Sequence, residues 1–169
     1  ADVNYNSAFK WKTSEGEDRY RRAMYTYFKR TAPHPSLITF DCPDSNVTTV
    51  RRSRSNTPLA ALITLNSEPF VEAAQGLARR VLTELPKGDD PARITHAFRL
   101  CLAREPEDFE RDRLISLLED SRAWYRGRGE EAKVLAGAPL PEGLSAEEAA
   151  AWTATVRVLL NLDEFLTRG

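Results

Sequence analysis

The sequence predicts an all-α fold, a compact bundle of five to six helices with a long proline-containing extended connection after the first helix. Three observations support this prediction. Apolar residues recur every three or four positions over several stretches, which is the spacing of one helix face. Capping residues and first-turn prolines precede these stretches. No stretch shows a convincing alternation of apolar and polar residues, the pattern of a half-buried strand.

Length and composition favour one domain. The chain has 169 residues, of which 41% are hydrophobic, and this is enough to bury a core without metals or disulfides. We expect residues 1–15 to be an extended leading segment of a fragment cut from a longer polypeptide, and residues 16–169 to form a single helical domain. The net charge of −1 gives no global reason to expect nucleic acid as a partner. We expect no membrane span, because the longest apolar runs are well short of about 20 residues.

The first half of the chain alternates predicted helix and connection. Residues 17–29 are predicted to form the first helix, because tyrosine, methionine and phenylalanine recur there at helical spacing. Residues 32–44 contain three prolines, which oppose helix, and are predicted to form the extended connection. Thr57 then caps a short apolar helix with Pro58 in its first position and Asn66 at its end.

Two core-facing helices are predicted next. The first starts at Ser67 and carries a stripe of apolar residues at alternating spacings of three and four. The stripe consists of Val71, Ala74, Ala78, Val81 and Leu85. The second begins at the pair Asp90 and Pro91, an N-cap followed by a first-turn proline.

Two further helices complete the predicted bundle. One opens at Pro106 and ends near Gly127, and residues 137–144 form a loop because of their glycine and proline content. Ser145 and Glu148 then match a capping box before a long final helix. The apolar face of that helix consists of Trp152, Val156, Leu159, Leu162 and Leu166.

Basic residues are concentrated in the segment 19–54, which has eight of them against two acidic residues, an excess of +6. Guanidinium groups bind phosphate, sulfate or carboxylate groups through paired hydrogen bonds. The candidate anion-binding residues are Arg51, Arg52 and Arg54. The alternative is that these arginines form ion pairs with acidic residues of the C-terminal helix, for example Asp163 and Glu164.

Few residues in the sequence favour catalysis or metal binding, and whether the domain is an enzyme stays open. The candidate nucleophiles are Ser53, Ser55 and Cys42. No G-x-S-x-G elbow is present, and Cys42 would need His34 beside it. No metal site is expected, because His34 and His96 lie in different predicted elements. Cys42 and Cys101 could form one disulfide, but two free thiols are expected, since Cys101 lies on the apolar face of its helix.

Four stretches of the sequence resemble a known family. They are GEDRYRRAMYTYFKRTAPHPSLITFDCPDS, VRRSRSNTPLAALITLNSEPFVEAA, AFRLCLAREP and WTATVRVLLNLDEFLTR. From about Gly16 to Thr167 the chain resembles the C-terminal domain of unknown function, family 1553, of large planctomycete-type bacterial proteins. The resemblance covers nearly the whole chain.

This resemblance implies more about architecture than about chemistry. Proteins of the family are typically exported, so a periplasmic or cell-envelope location is expected. They carry a c-type cytochrome-like region upstream, so haem is expected in that region and no cofactor is expected in this fragment, which lacks the C-x-x-C-H haem motif. The expected partners are upstream domains of the same polypeptide. The resemblance supplies no established catalytic residue.

Two functions therefore stay open. The leading hypothesis is a docking or structural module, which exposed aromatic surface around residues 20–28 would support. The alternative is part of an enzyme or binding site for an anionic polysaccharide, sulfated or containing uronic acid, that uses Arg51, Arg52 and Arg54. Nucleic-acid binding is a weaker third hypothesis and is not expected.

Overall fold

The computed structural model describes residues 14–28, 33–43, 46–51 and 55–167. Every regular element within these ranges is a helix, so the all-α prediction is confirmed. The chain divides into two compact units, Ala1–Ala60 and Ala61–Gly169. The predicted boundary between a leading segment at 1–15 and a single domain at 16–169 stays a prediction. In the described ranges no helix has both the length and the apolar character needed to cross a membrane.

The described ranges contain two short 3-10 helices and eight α-helices. The 3-10 helices are η1, Gly16–Tyr20, and η2, Ala23–Tyr25. The α-helices are α1 Pro35–Thr39, α2 Pro58–Asn66, α3 Glu68–Glu84, α4 Asp90–Leu102, α5 Asp108–Tyr125, α6 Gly129–Ala136, α7 Ala146–Leu160 and α8 Asp163–Leu166. The count exceeds the predicted five to six because short helices occupy stretches that were expected to be connections or parts of longer helices.

The predicted first helix at 17–29 is wrong over its described part. η1 and η2 are separated by Arg21 and Arg22, whose backbones are extended. Neither short helix buries a residue. An isolated helix of this length gains too little from its own hydrogen bonds and needs an apolar face packed on a core. The helical spacing of the aromatic residues is present, but the packing that would make it a helix is not.

A short helix also replaces part of the predicted extended connection at 32–44. Pro35 occupies the first position of α1, where the missing N–H of proline removes no helical hydrogen bond. The Nδ1 atom of His34 accepts a hydrogen bond from the Ser36 N–H at 3.3 Å and so caps the helix. Pro35 therefore starts a helix in a stretch that its prolines were predicted to keep extended.

Several predicted helix starts are confirmed by their hydrogen bonds. Thr57 Oγ1 accepts from the Ala60 N–H at 3.1 Å at the start of α2, and Ser145 Oγ accepts from the Glu148 N–H at 3.1 Å at the start of α7. The cap of α4 is Asp89, one residue before the predicted one. Its Oδ1 atom accepts from the Ala92 N–H at 2.9 Å.

The core of the second unit is built around α7. Helices α3, α5 and α6 each pack extensively against it. The largest fully buried apolar side chains are Trp152, Phe98, Ile94, Leu118, Leu159, Val81 and Val156. A second, smaller cluster joins α6 to α7 and contains only alanines at its centre: Ala132, Ala136, Ala149 and Ala150. Small side chains let these two helix backbones approach closely.

The two cysteines are free thiols. Cys101 packs against the main core, as expected for its position on the apolar face of α4. Burial raises the pKa of its thiol to about 11, which keeps the thiol protonated and unreactive near neutral pH.

The final predicted helix is two helices. α7 ends at Leu160, and Leu162 adopts an extended conformation before α8. The side chain of Asn161 at this break accepts a hydrogen bond from Thr64 Oγ1. The helix α6 was not predicted at all, because alanine carries most of its buried face and gives a weak hydrophobic signal.

Gly137 ends α6 in a backbone conformation, φ +66° and ψ −179°, that is essentially restricted to glycine. A Cβ atom there would collide with the carboxamide of Gln75 on α3. The Nε2 atom of that carboxamide donates to the Leu135 carbonyl at 3.0 Å. Gly137 thus permits a close contact between α3 and the end of α6.

We expect Gly137→Ala to lower the free energy of unfolding by about 1–3 kcal/mol, through backbone strain and displacement of Gln75. Gly76→Ala in α3 is the matched control, since no atom lies near its added Cβ. This control should raise the free energy of unfolding by about 0.5–1 kcal/mol, the usual gain in a helix interior. Urea denaturation measures both values. If the two variants are equally stable, Gly137 is not a constrained position.

Candidate functional site

The predicted anion site lies only partly within the described residues. Arg51 is described and its residue is exposed. Arg52 and Arg54 lie outside the described ranges. The proposal that these three arginines bind an anion therefore stays a prediction. Glu164, one of the carboxylates suggested as their partner, is bound by Arg104.

Two of the residues considered for catalysis, Ser55 and His34, form local structural hydrogen bonds. Asp41 Oδ2 accepts hydrogen bonds from both the backbone N–H and the hydroxyl of Ser55, each at 2.7 Å. This pair joins two parts of the first unit that are fourteen residues apart. His34 uses Nδ1 to cap α1. Cys42 is a half-buried free thiol, and Ser53 lies outside the described ranges.

Metal binding finds no support where the structure describes the chain. No three histidine, cysteine, aspartate or glutamate side chains of the described residues come together in a way that could hold a metal ion. His96 instead lies 2.5 Å from a Glu84 oxygen, and Arg80 donates to the other oxygen of the same carboxylate at 2.7 Å. The Arg80 and His96 hydrogen bonds hold the pKa of Glu84 below its ordinary value.

Large apolar and aromatic side chains are exposed in one segment of the first unit. We call residues 19–28 the aromatic segment. Four large apolar or aromatic side chains in it are 63–71% exposed. They are Tyr20, Met24, Tyr25 and Tyr27. The extended residues between η1 and η2 break the helical spacing that would have placed these side chains on a common buried face.

Arginines lie among the exposed aromatic side chains. The Arg19 guanidinium lies 5.9 Å from the centre of the Tyr20 ring. Arg22 donates from Nη2 to the Met24 sulfur at 3.3 Å. Tyrosine, methionine and arginine are the residue types enriched at the centres of protein interfaces, where lysine and acidic residues are depleted. The aromatic segment has the composition of such a centre.

The charged residues of the second unit form two arginine clusters that the sequence did not predict. In the first, Arg122 of α5 binds Asp90 of α4 and Glu148 of α7. Its Nη2 and Nη1 atoms lie 2.9 and 2.5 Å from the two Asp90 oxygens. Its Nε and Nη2 atoms lie 2.9 and 2.5 Å from the two Glu148 oxygens. Glu148 also accepts from Nε1 of the fully buried Trp152 at 2.9 Å.

The electrostatics of this cluster stabilise the charged forms. Hydrogen bonds from Arg122 hold the pKa of Asp90 below its usual range, against the opposing effect of partial burial. The two carboxylates in turn raise the pKa of the Arg122 guanidinium. Every carboxylate oxygen of the cluster already accepts a hydrogen bond. The arrangement is therefore suited to joining three helices, and it offers no free acid or base.

The second cluster surrounds Arg104, just after α4. Its guanidinium forms paired hydrogen bonds with Glu110 of α5, both 2.8 Å long, and also binds Glu164 of α8. The guanidinium lies 4.9 Å from the centre of the Phe98 ring. These bonds lower the pKa values of both glutamates. The cluster fixes α8 to the helices before it.

The sequence indicates where some residues of the first cluster lie on their helices, but not that they pair. Asp90 and Glu148 lie in the first turns of α4 and α7, where acidic residues are common for reasons of helix polarity alone. Arg122 lies one turn after the buried Leu118, so its side chain lies on the core side of α5. Their pairing requires knowledge of which helices are neighbours, and no local pattern contains it.

Comparison with known proteins gives a match to one protein family of unknown function. A family model described as "PSD1: Protein of unknown function (DUF1553)" matches residues 3–118. No curated protein and no solved structure matches the chain.

Replacing Arg122 by methionine should destabilise the second unit. The change leaves two partly buried carboxylates close together without their cation. Because the three side chains are 27–30% exposed, we expect a loss of about 1–3 kcal/mol, less than the 3–5 kcal/mol of a fully buried pair. Urea denaturation followed by tryptophan fluorescence measures it. Arg111→Met, which removes an ion pair with the well-exposed Asp108, is the control and should have little effect.

The lowered pKa of Asp90 predicts a pH dependence of stability. A carboxylate with a lower pKa in the folded state stabilises that state above its unfolded pKa, about 3.9 for aspartate, and the contribution is lost as the pH falls through the folded value. We therefore expect Asp90→Asn to be less stable than the wild type at pH 7, and this difference to shrink as the pH falls below 4. Urea denaturation across this range measures both proteins. A difference that does not change with pH would count against the ion pair.

Proposed function

Because the chain belongs to the protein family of unknown function DUF1553, we propose that it is a non-catalytic helical module that docks, through its aromatic segment, against upstream domains of a longer polypeptide. In this proposal the polypeptide is exported to the periplasm or cell envelope. A c-type cytochrome-like region upstream carries the haem. The second unit provides a stable helical fold, and the aromatic segment provides the docking surface.

The observation that carries the proposal is the exposure of Tyr20, Met24, Tyr25 and Tyr27. Full burial of an apolar side chain of this size is worth about 1.5–3 kcal/mol. Within η1 and η2 no residue is buried. Binding of a partner that covers this segment would be stabilised by burial of these side chains. The segment is therefore suited to the centre of an interface.

The arginine clusters also support a structural module. Arg122 and Arg104 are both used to join helices of the second unit. Their carboxylate partners are charged and bound, which is unlike the poised acids and bases of a hydrolase. The charged clusters of the second unit therefore act as structural links between its helices.

The test is binding of the proposed upstream region, purified separately, to the chain and its variants. We expect the double variant Met24→Ser, Tyr25→Ser to weaken binding at least tenfold, which corresponds to about 1.4 kcal/mol. Its free energy of unfolding should be unchanged, because both side chains are exposed. Isothermal titration calorimetry measures the affinity.

The matched control is Val134→Ser on α6, which removes an apolar side chain that is 81% exposed in the second unit. It should bind like the wild type. Absence of binding by the wild type, or equal binding by the double variant, would refute docking through the aromatic segment.

A further inference from the structure

We propose that Met24 is an oxidation site at which a hydroperoxide controls docking. The step converts the Met24 thioether to the sulfoxide, and the sulfoxide weakens binding through the aromatic segment. The proposal rests on the proposed docking function and adds its regulation. Three observations support it: the exposure of Met24, the position of Arg22 beside its sulfur, and the place of Met24 within the docking surface.

Met24 is the most exposed sulfur-containing residue of the chain. The sequence has one methionine and two cysteines. Met24 is 71% exposed, whereas Cys42 and Cys101 are both half-buried, and the raised pKa of Cys101 keeps its thiol protonated. A peroxide must contact the sulfur atom that it oxidises, so susceptibility follows exposure. Met24 is therefore the sulfur-containing residue that a peroxide reaches most easily.

Arg22 places a hydrogen-bond donor beside the Met24 sulfur. Its Nη2 atom donates to the sulfur at 3.3 Å, and both residues are exposed. A thioether sulfur is a weak acceptor, whereas a sulfoxide oxygen carries a partial negative charge and accepts a charge-assisted hydrogen bond from a guanidinium. The guanidinium is therefore better matched to the oxidised side chain than to the reduced one.

The oxidation is the transfer of one oxygen atom. A lone pair of the Met24 sulfur forms the S–O bond with the terminal oxygen of the hydroperoxide, and the O–O bond breaks. The proton of the terminal oxygen moves to the departing oxygen, which leaves as an alcohol, or as water when the oxidant is hydrogen peroxide. The sulfur is oxidised to the sulfoxide and the hydroperoxide is reduced. Arg22 stabilises the negative charge that develops on the departing oxygen.

The sulfoxide changes the chemistry of the docking surface. Met24 lies in η2 next to Tyr25, and both side chains are exposed. A partner that covers the reduced segment buries an apolar thioether. After oxidation it has to cover a polar S=O group, and burying a polar group without full hydrogen bonding costs free energy. Oxidation therefore opposes docking, and reduction of the sulfoxide restores the apolar side chain.

The first measurement tests whether Met24 is the oxidation site and whether Arg22 assists the reaction. The full chain is treated with hydrogen peroxide together with N-acetylmethionine amide, a freely exposed reference compound. Mass spectrometry of the tryptic peptide 23–29, in which Met24 has the only sulfur, gives the fraction oxidised. We expect Met24 to be oxidised at least as fast as the reference, and Arg22→Gln to slow its oxidation several-fold.

Arg21→Gln is the matched control. It removes the same charge one residue away, but Arg21 donates to Asp18 at 2.5 Å and not to the sulfur, so the oxidation of Met24 should be unchanged. Oxidation of Met24 that is slower than that of the reference, or equal effects of the two variants, overturns the proposal.

The second measurement is the affinity for the upstream region, by isothermal titration calorimetry after the peroxide has been removed. We expect the oxidised chain to bind about tenfold more weakly than the untreated chain, because the S=O group replaces an apolar contact. Met24→Leu keeps an apolar side chain of similar volume, so it should bind like the untreated wild type with or without peroxide treatment. Methionine sulfoxide reductases with a dithiol should restore the affinity of the oxidised wild type.

The outcomes separate this proposal from the proposed function. If Met24→Ser, Tyr25→Ser weakens binding but the oxidised chain binds like the untreated one, docking stands and its control by oxidation is wrong. If peroxide weakens binding by Met24→Leu as much as by the wild type, the proposal is also overturned, because the group responsible then lies elsewhere. If the untreated chain does not bind, the docking function is refuted, and its control by oxidation is refuted with it.

Discussion

The structure of the second unit depends on the burial of α7. Nine of its residues are buried, and two of them, Thr153 and Thr155, are tolerated because their hydroxyls donate to carbonyls one turn earlier, at 2.8 and 2.9 Å. A helix buried on several sides needs neighbours on several sides, and α3, α5 and α6 supply them. The indole N–H of Trp152 needs an acceptor in this interior, and Glu148 provides it. Arg122 then holds Glu148 in place, so the charged cluster follows from placing a tryptophan at the centre.

The two units use their apolar residues in opposite ways. In the second unit aromatic and aliphatic side chains such as Trp152 and Phe98 are fully buried. In the first unit no residue of η1 and η2 is buried, and covering their apolar side chains would be favourable. The proposed docking function rests on this contrast between the filled interior of the second unit and the exposed apolar side chains of η1 and η2.

The sequence predicts best where two independent signals coincide. Helices α3 and α4 combine a three-four stripe with a cap or first-turn proline, and both form within a residue of the expected start. The aromatic segment has the stripe alone, and its periodicity indicates a face that could be buried without indicating that anything covers it. The pairing of Arg122 with Asp90 lies beyond any local pattern, because the two residues are thirty-two positions apart. For the candidate site, the sequence indicates only that exposed aromatic side chains around residues 20–28 would favour docking, and their exposure is seen only in the structure.

The position of α7 in the chain has a consequence for biosynthesis. The helices that pack most extensively against it, α3, α5 and α6, all precede it in sequence. A ribosome therefore releases them before the element that completes their core exists, and their apolar faces have no common partner until residues 146–160 emerge. Domains fold as units during synthesis at about 5–20 residues per second. At this rate the unit spends seconds as a nascent chain with exposed apolar helices, a period in which a chaperone can engage it.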